Sequence, residues 1–249
     1  MPNIYETERL LAEYLLFHYG NAADIFTERW GAELKGALDF PARCAKLCFD
    51  VPGIPPDARA LDVGCAVGRA SFELAAGCAS VTGIDFSRRF IDAADALKKS
   101  GELAFNRLDE GTRATKCMAH VPAGIQRERV SFETGDAMNL RGDLGEFDIV
   151  LGANLLCRLP DPVKFLDRLP LLVRPGGRLV LTTPCTWLEE FTARERWLCG
   201  EKSSTLDGLH RHLDAHFDLT GTHDMPFVIR EHARKFQWTV ALGSVWKRK

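Results

Sequence analysis

Residues 60–86 read ALDVGCAVGRASFELAAGCASVTGIDF, and the order of chemistry within them decides the fold. An apolar run, Ala60 to Val63, meets the turn Gly64-Cys65-Ala66-Val67-Gly68. A helical stretch follows over about 68–77, and a second apolar run over about 80–85 closes on an acid, Asp85. Strand, glycine turn, helix and strand in that order make a nucleotide-binding βαβ unit. Asp85 stands 23 residues after Asp62, at the end of the second strand, where a carboxylate accepts both hydroxyls of a ribose.

The turn argues against a pyrophosphate. A dinucleotide needs glycine at the first, third and sixth positions so that backbone amides approach the phosphates closely. Here the third and sixth positions are Ala66 and Arg69, and Asp62 two residues before Gly64 would repel a diphosphate. A ligand with an ammonium and a sulfonium and no phosphate suits that carboxylate, which points to S-adenosylmethionine. NAD, or a packing turn with no ligand, are the readings it displaces.

The rest of the chain bounds the answer. It has 249 residues, 46% hydrophobic and 27% charged, as in ordinary globular proteins. A net charge of −2 gives no reason to expect a nucleic-acid partner, and Lys247-Arg248-Lys249 reads as a solvated end. The start carries no basic segment followed by an apolar run, and no stretch approaches 18 apolar residues, so neither a signal peptide nor a membrane span is expected. Eight cysteines without a CxxC pair read as free thiols in a reducing cytoplasm. His212 and His216 share a helix face with His210 nearby, but no third ligand of clear spacing follows, and no metal is expected.

The expected organisation is an N-terminal helical cap, residues 1–57, and an alternating β/α body, residues 58–249. Leu10, Leu11, Tyr14, Leu15 and His18 recur at helical spacing within residues 5–20, with Gly20 as the stop. A second helix is expected over 35–49, then a proline-rich linker over 51–57. In the body, strands are expected near 59–63, 80–85, 130–134, 147–152 and 178–183. Helices are expected from Ser87 to Lys99, at 161–173 with a break at Pro170, and near 205–215. Two closing strands, 226–231 and 236–246, should form a hairpin with one antiparallel member. Residues 101–128 read as a polar surface insertion with little periodicity. This pattern specifies an α/β fold: a doubly wound, mostly parallel, seven-stranded sheet, with its site beyond the carboxyl ends of the strands.

The stretches LDVGCAVG, GIDFS, GDAMNL, FDIVLGAN and LLVRPGGRLVL, covering about 60–183, resemble the class I S-adenosylmethionine-dependent methyltransferases. That resemblance implies a cofactor site made of Gly64, Cys65, Gly68, Asp62, Asp85 and Phe86. By the same resemblance Asp136 accepts from the adenine amino group, Ala137 or Met138 packs on the ring, and Asn154 lines the methionine side.

A narrower resemblance lies outside that core. YETERLLAEYLLFHYG (5–20), FPARCAKLC (40–48), TTPCTWLEEF (182–191) and FVIREHARKFQWTVALGSVW (227–246) are similar to the methyltransferase module of ovothiol biosynthesis. The implied reaction is methylation of the π ring nitrogen of 5-thiohistidine, a small-molecule substrate. Where that module is often part of a longer chain, a chain starting at Met1 is expected to be a stand-alone version, a monomer or homodimer. The pattern departs at Cys185, where a tyrosine is expected.

A zwitterionic imidazole substrate needs a cation, an anion and an aromatic wall. The family-like stretches offer Arg230 or Lys235 for the carboxylate, Glu189 or Glu190 for the ammonium, and Trp187, Tyr14 and Tyr19 for the ring and the sulfonium. Arg43 is a candidate for the cofactor carboxylate, and His18 or Tyr19 for fixing the tautomer with a free lone pair. The rival readings are a methyltransferase for another small metabolite and a non-catalytic cofactor-binding regulator.

Overall fold

Alternation of apolar strands with amphipathic helices produces a seven-stranded sheet covered on both faces. The structure, a computed structural model, describes residues 4–26, 32–49 and 54–249; the first half of the proline-rich linker lies outside them. The strands are β1 (Arg59–Val63), β2 (Ser80–Asp85), β3 (Glu102–Glu110), β4 (Arg113–His120), β5 (Val130–Thr134), β6 (Phe147–Ala153), β7 (Val173–Thr183), β8 (Phe217–His232) and β9 (Lys235–Arg248). The main sheet runs β5-β2-β1-β6-β7-β9-β8. β9 is antiparallel to both neighbours, the one reversed member expected from a closing hairpin. β1 and β6 are buried almost throughout, as a sheet covered on both faces requires.

The helices are α1 (Glu8–Tyr19), α2 (Ala22–Ile25), α3 (Phe40–Leu47), α4 (Arg69–Leu74), α5 (Arg88–Ser100), α6 (Pro162–Arg168) and α7 (Thr205–Leu213). α5 shows why local chemistry predicts boundaries well. Ser87 accepts from the Phe90 amide at its start, and Gly101 takes a left-handed φ of 84° at its end. The expected break at Pro170 is present: α6 ends at Arg168 and a single 3-10 turn, Leu169–Leu171, follows.

Two expectations need correction. Residues 101–128 are not a shapeless excursion: β3 and β4 form a separate antiparallel hairpin that packs on α1 and β8. Its strands bury only Phe105, Asp109 and Ala119, so the pattern along the chain is polar and weakly periodic. The closing hairpin is also much longer than expected. β7 stops at Thr183, opposite Leu242, so residues 225–241 project past the carboxyl edge of the sheet. There β8 meets α1 and the β3–β4 hairpin, and these appended pieces enclose the end of the sheet where ligands bind.

Candidate active site

The Gly64–Gly68 turn carries three left-handed residues, Gly64 at φ 77°, Ala66 at 47° and Gly68 at 84°. Gly68 has a second constraint, because a Cβ there would lie 2.6 Å from the Phe132 ring. The amides of Gly64 and Cys65 donate to the Ile84 carbonyl at 2.8 and 3.1 Å, fastening the turn to the end of β2. Cys65 belongs to the turn but turns inward: its thiol is buried, and burial pushes it well above its ordinary pKa.

Asp85 joins the two strand ends. One carboxylate oxygen accepts the Ala66 amide at 2.9 Å and the other the Ser87 amide at 2.8 Å. Burial raises its pKa to about 6 against the opposing pull of those amides. Each oxygen keeps a second lone pair for a ligand hydroxyl. Beside it Phe86 is 66% exposed, an aromatic ring largely open to a ligand. Asp62 is fully buried; Ser71 donates to its Oδ2 at 2.6 Å, and Oδ1 has no partner among the described residues. Burial raises its pKa to about 7, with the Ser71 hydroxyl pulling the other way and Asp85 adding to the rise.

Further along the carboxyl edge, Asp136 accepts the Met138 amide at 2.9 Å and so shapes a 3-10 turn that buries Ala137 and half-buries Met138. Asn154 sits at φ 52°, a conformation asparagine tolerates better than most side chains. Thr182 holds it: the hydroxyl donates to Asn154 Oδ1 at 3.1 Å, and the Thr182 carbonyl accepts the Asn154 amide at 2.9 Å.

α1 closes this edge from above. Its Tyr19 hydroxyl donates to the Val67 carbonyl at 2.8 Å, and Arg69 donates to the His18 carbonyl at 3.0 Å, so the C-terminal turn of the helix is tied to the glycine turn. One turn earlier the Tyr14 ring lies 4.7 Å from Phe90 at a tilt of 34° and meets Tyr5 edge-on at 6.2 Å. Burial is the main reason that the Tyr14 phenol stays neutral, and Tyr5, Asp85, Arg158 and Cys157 all act on it electrostatically. His18 is buried with Nδ1 unpartnered among the described residues; burial, and then Arg69, drive its pKa down to about 3, so the imidazole is neutral.

Several residues expected in the site are committed elsewhere. Arg43 donates to the Leu38 carbonyl at 2.9 Å and to the Pro226 carbonyl, bracing α3 against β8 rather than reaching for a cofactor carboxylate. Arg230 is buried: it donates to the carbonyls of Asp24 and Ile25 and pairs with Asp109 at 2.7 Å. Lys235 is exposed at the hairpin tip and pairs with Glu231 at 2.7 Å. Trp187 is a core residue whose indole donates to Thr205 at 3.0 Å, while Glu189 and Glu190 lie exposed in the following turn. Tyr19, with its hydroxyl held by Val67, is a brace for the turn rather than a free phenol. Arg158, which the sequence places with Cys157 beyond the carboxyl end of the strand that leads to Asn154, lies at this edge and is given no role there by the motifs, and Tyr5, beside Tyr14 and Phe90, was not singled out. The signal for Arg158 was its place four residues after Asn154, at the mouth beyond β6.

Among the described residues no His, Cys, Asp and Glu side chains gather as a metal site, and no helix is long and apolar enough to cross a membrane.

Residues 61–179 match the family model described as a methyltransferase domain. The fold is that of the class I S-adenosylmethionine-dependent methyltransferases. Ser71 of α4, inside the matched segment, donates to Asp62, so the helix after the glycine turn steadies the acid before it. The chain is 30% identical over 123 residues to a ubiquinone biosynthesis O-methyltransferase of Coxiella burnetii, covering 49% of this chain and 42% of that protein. It thus spans less than half the length of that curated relative. A methyltransferase structure from Methanosarcina mazei superposes with a TM-score of 0.52 at 20% identity, covering 78% of this chain and 93% of the other. The N-methyltransferase NodS from Bradyrhizobium japonicum gives 0.53 at 16% identity, covering 84% and 93%.

The cofactor is S-adenosylmethionine, and the residues present fit it. Asp85 offers lone pairs to a ribose, the exposed Phe86 ring and the Ala137–Met138 turn suit an adenine, and the Asp62 oxygen left without a partner among the described residues suits a cationic amino acid end. When bound, the cofactor supplies an electrophilic methyl group on a sulfonium.

Proposed function

We propose that this protein transfers a methyl group from S-adenosylmethionine to the π ring nitrogen of 5-thiohistidine. The observation that carries the reading is where the ovothiol-like stretches lie. Residues 227–241 of that closing stretch project past the carboxyl edge, and α1 within residues 5–20 packs on β8, so stretches resembling that module lie at the end of the sheet where an acceptor would enter.

The chemistry of the roof supports an acceptor that brings its own lone pair. A phenol or alcohol must lose a proton to attack a methyl carbon. His18, the imidazole that α1 carries towards the glycine turn, has a pKa near 3 and is too weak a base for that task. An imidazole bearing a thiolate attacks with a ring lone pair and ends neutral, so the protein has no proton to remove. What remains for the chain is orientation and exclusion of water. Tyr5, Tyr14 and Phe90 provide aromatic faces at the Asp85 end, and the braced α1 fixes them over the edge. Holding both reactants in a near-attack arrangement is worth about 7–11 kcal/mol of barrier.

The named relative is an O-methyltransferase, which favours methylation of a ring hydroxyl as the second reading. Mass spectrometry of reactions with S-adenosylmethionine and 5-thiohistidine, histidine or a catechol separates the two. One methyl gained on the thiolated imidazole, located on the π nitrogen by NMR, is the expected result. Methylation of the catechol and not of the imidazole would replace this reading with the second one.

A further inference from the structure

Arg158 ends the 3-10 turn Leu156–Arg158 that follows β6, at the carboxyl edge. Its guanidinium lies 4.7 Å over the Phe191 ring and donates to the Cys157 and Thr186 carbonyls at 3.2 and 3.4 Å and to the Cys157 sulfur at 3.5 Å. It also hydrogen-bonds the Tyr5 phenol. All of these partners are neutral, and among the described residues Arg158 has no carboxylate at ion-pair distance. Other arginines differ. Arg69 pairs with Glu73, and Arg107 and Arg230 both pair with Asp109. Arg43 is spent on two backbone carbonyls. The aromatic stack and the carbonyls hold the Arg158 side chain in one orientation without neutralising it, and its charge acts on Tyr5, Tyr14 and the adjoining Cys157. A half-buried, oriented and unneutralised guanidinium beside the acceptor space is a receptor for an anion, because it presents a planar fork of donors to a carboxylate.

We propose that Arg158 binds the carboxylate of the methyl acceptor and makes the site selective for an acidic over a neutral acceptor. The proposal rests on the N-methyltransferase reading for the identity of the acceptor, but not for the presence of the anion receptor. Tyr5 serves as a positioning residue, its phenol oxygen accepting from the guanidinium on the side towards α1.

The test compares 5-thiohistidine with its carboxamide in the wild type, Arg158→Gln and Arg158→Lys, with S-adenosylmethionine affinity measured by calorimetry. Loss of a charged hydrogen bond predicts a rise in KM for the acid of about 10–100-fold in Arg158→Gln. The acid-to-amide preference should vanish in that variant, cofactor affinity should stay within about twofold, and Arg158→Lys should recover part of the preference as a point charge. Equal use of acid and amide by the wild type, or an unchanged preference in Arg158→Gln, overturns the proposal. If the protein methylates no imidazole, the functional reading fails by itself, and the same comparison is made with a catechol and its ring-carboxylated counterpart. A preference for the carboxylated ring that Arg158→Gln abolishes then upholds the anion receptor; equal use by the wild type overturns it.

Discussion

Asp85 concentrates more of the site than any other side chain, because it fastens the glycine turn and presents lone pairs to a ligand at once. Asp85→Ala should therefore weaken S-adenosylmethionine by more than about tenfold in calorimetry, through loss of hydrogen bonds to a charged acceptor. An unchanged affinity would remove the ribose assignment. Asp62 and Asp85 also predict a pH dependence. Their folded-state values, about 7 and about 6, lie above the ordinary carboxylate value of 3.8. Between about pH 4 and pH 7 the unfolded chain ionises these acids before the folded one does, so the ligand-free protein loses stability as pH rises through that window. A cationic or hydroxyl-bearing ligand favours the ionised forms, so its affinity should increase from pH 6 to pH 8, with protons released on binding. Asp62→Asn should flatten the stability slope in thermal melts and weaken the cofactor at pH 8; a variant with the wild-type slope would show that Asp62 is not the titrating group. Gly68 offers a purely steric prediction. A Cβ at φ 84° and 2.6 Å from Phe132 should destabilise Gly68→Ala by about 1–3 kcal/mol, read as a lower melting temperature.

At the scale of elements, α1 acts through its attachments. The Tyr19 hydroxyl and the His18 carbonyl pin its last turn to Val67 and Arg69, and Tyr14 stands one turn back over Phe90. Tyr19→Phe keeps the ring and removes the tie, a loss of about 0.5–1.5 kcal/mol. The expected outcome is a several-fold weaker cofactor and faster hydrogen exchange in α1, with β1 and β2 unchanged; equal exchange in α1 would show that the tie does not position the helix. α1 also illustrates what a single sequence reveals about an element. Its apolar spacing and the Thr7 cap, whose side chain accepts the Leu10 amide at 3.3 Å, are local, so the helix was foreseeable. Val67, Arg69 and Phe90, which hold Tyr19, His18 and Tyr14, lie 48 or more residues away, and no periodicity encodes them.

The whole molecule has its appendages joined at one buried point. Asp109 of β3 accepts from Arg107, Thr115 and Arg230, and both arginines also cover carbonyls at the end of α2. Burial alone would raise the Asp109 pKa, but the Thr115 hydroxyl and the two guanidinium groups hold it below the ordinary range. Breaking a buried pair on one side leaves the other charge uncompensated, at a cost of about 3–5 kcal/mol. Arg230→Ala should therefore loosen α2, the β3–β4 hairpin and the tip of the β8–β9 hairpin together in hydrogen exchange, while the parallel strands stay protected. Exchange confined to β8 and β9 would show that the three pieces are independent.

The sequence by itself determined the βαβ core, the mostly parallel seven-stranded sheet around it, and the position of Asp62 and Asp85 towards the strand ends. These follow from periodicity, glycine conformation and caps, which are properties of neighbouring residues. It did not determine which charged side chains were free to meet a substrate. Arg43, Arg230 and Lys235 looked available along the chain and are consumed by carbonyls, Asp109 and Glu231, whereas Arg158 keeps its charge uncompensated. That distinction belongs to tertiary structure alone, because whether a charge is neutralised depends on partners brought from distant elements within a few ångströms.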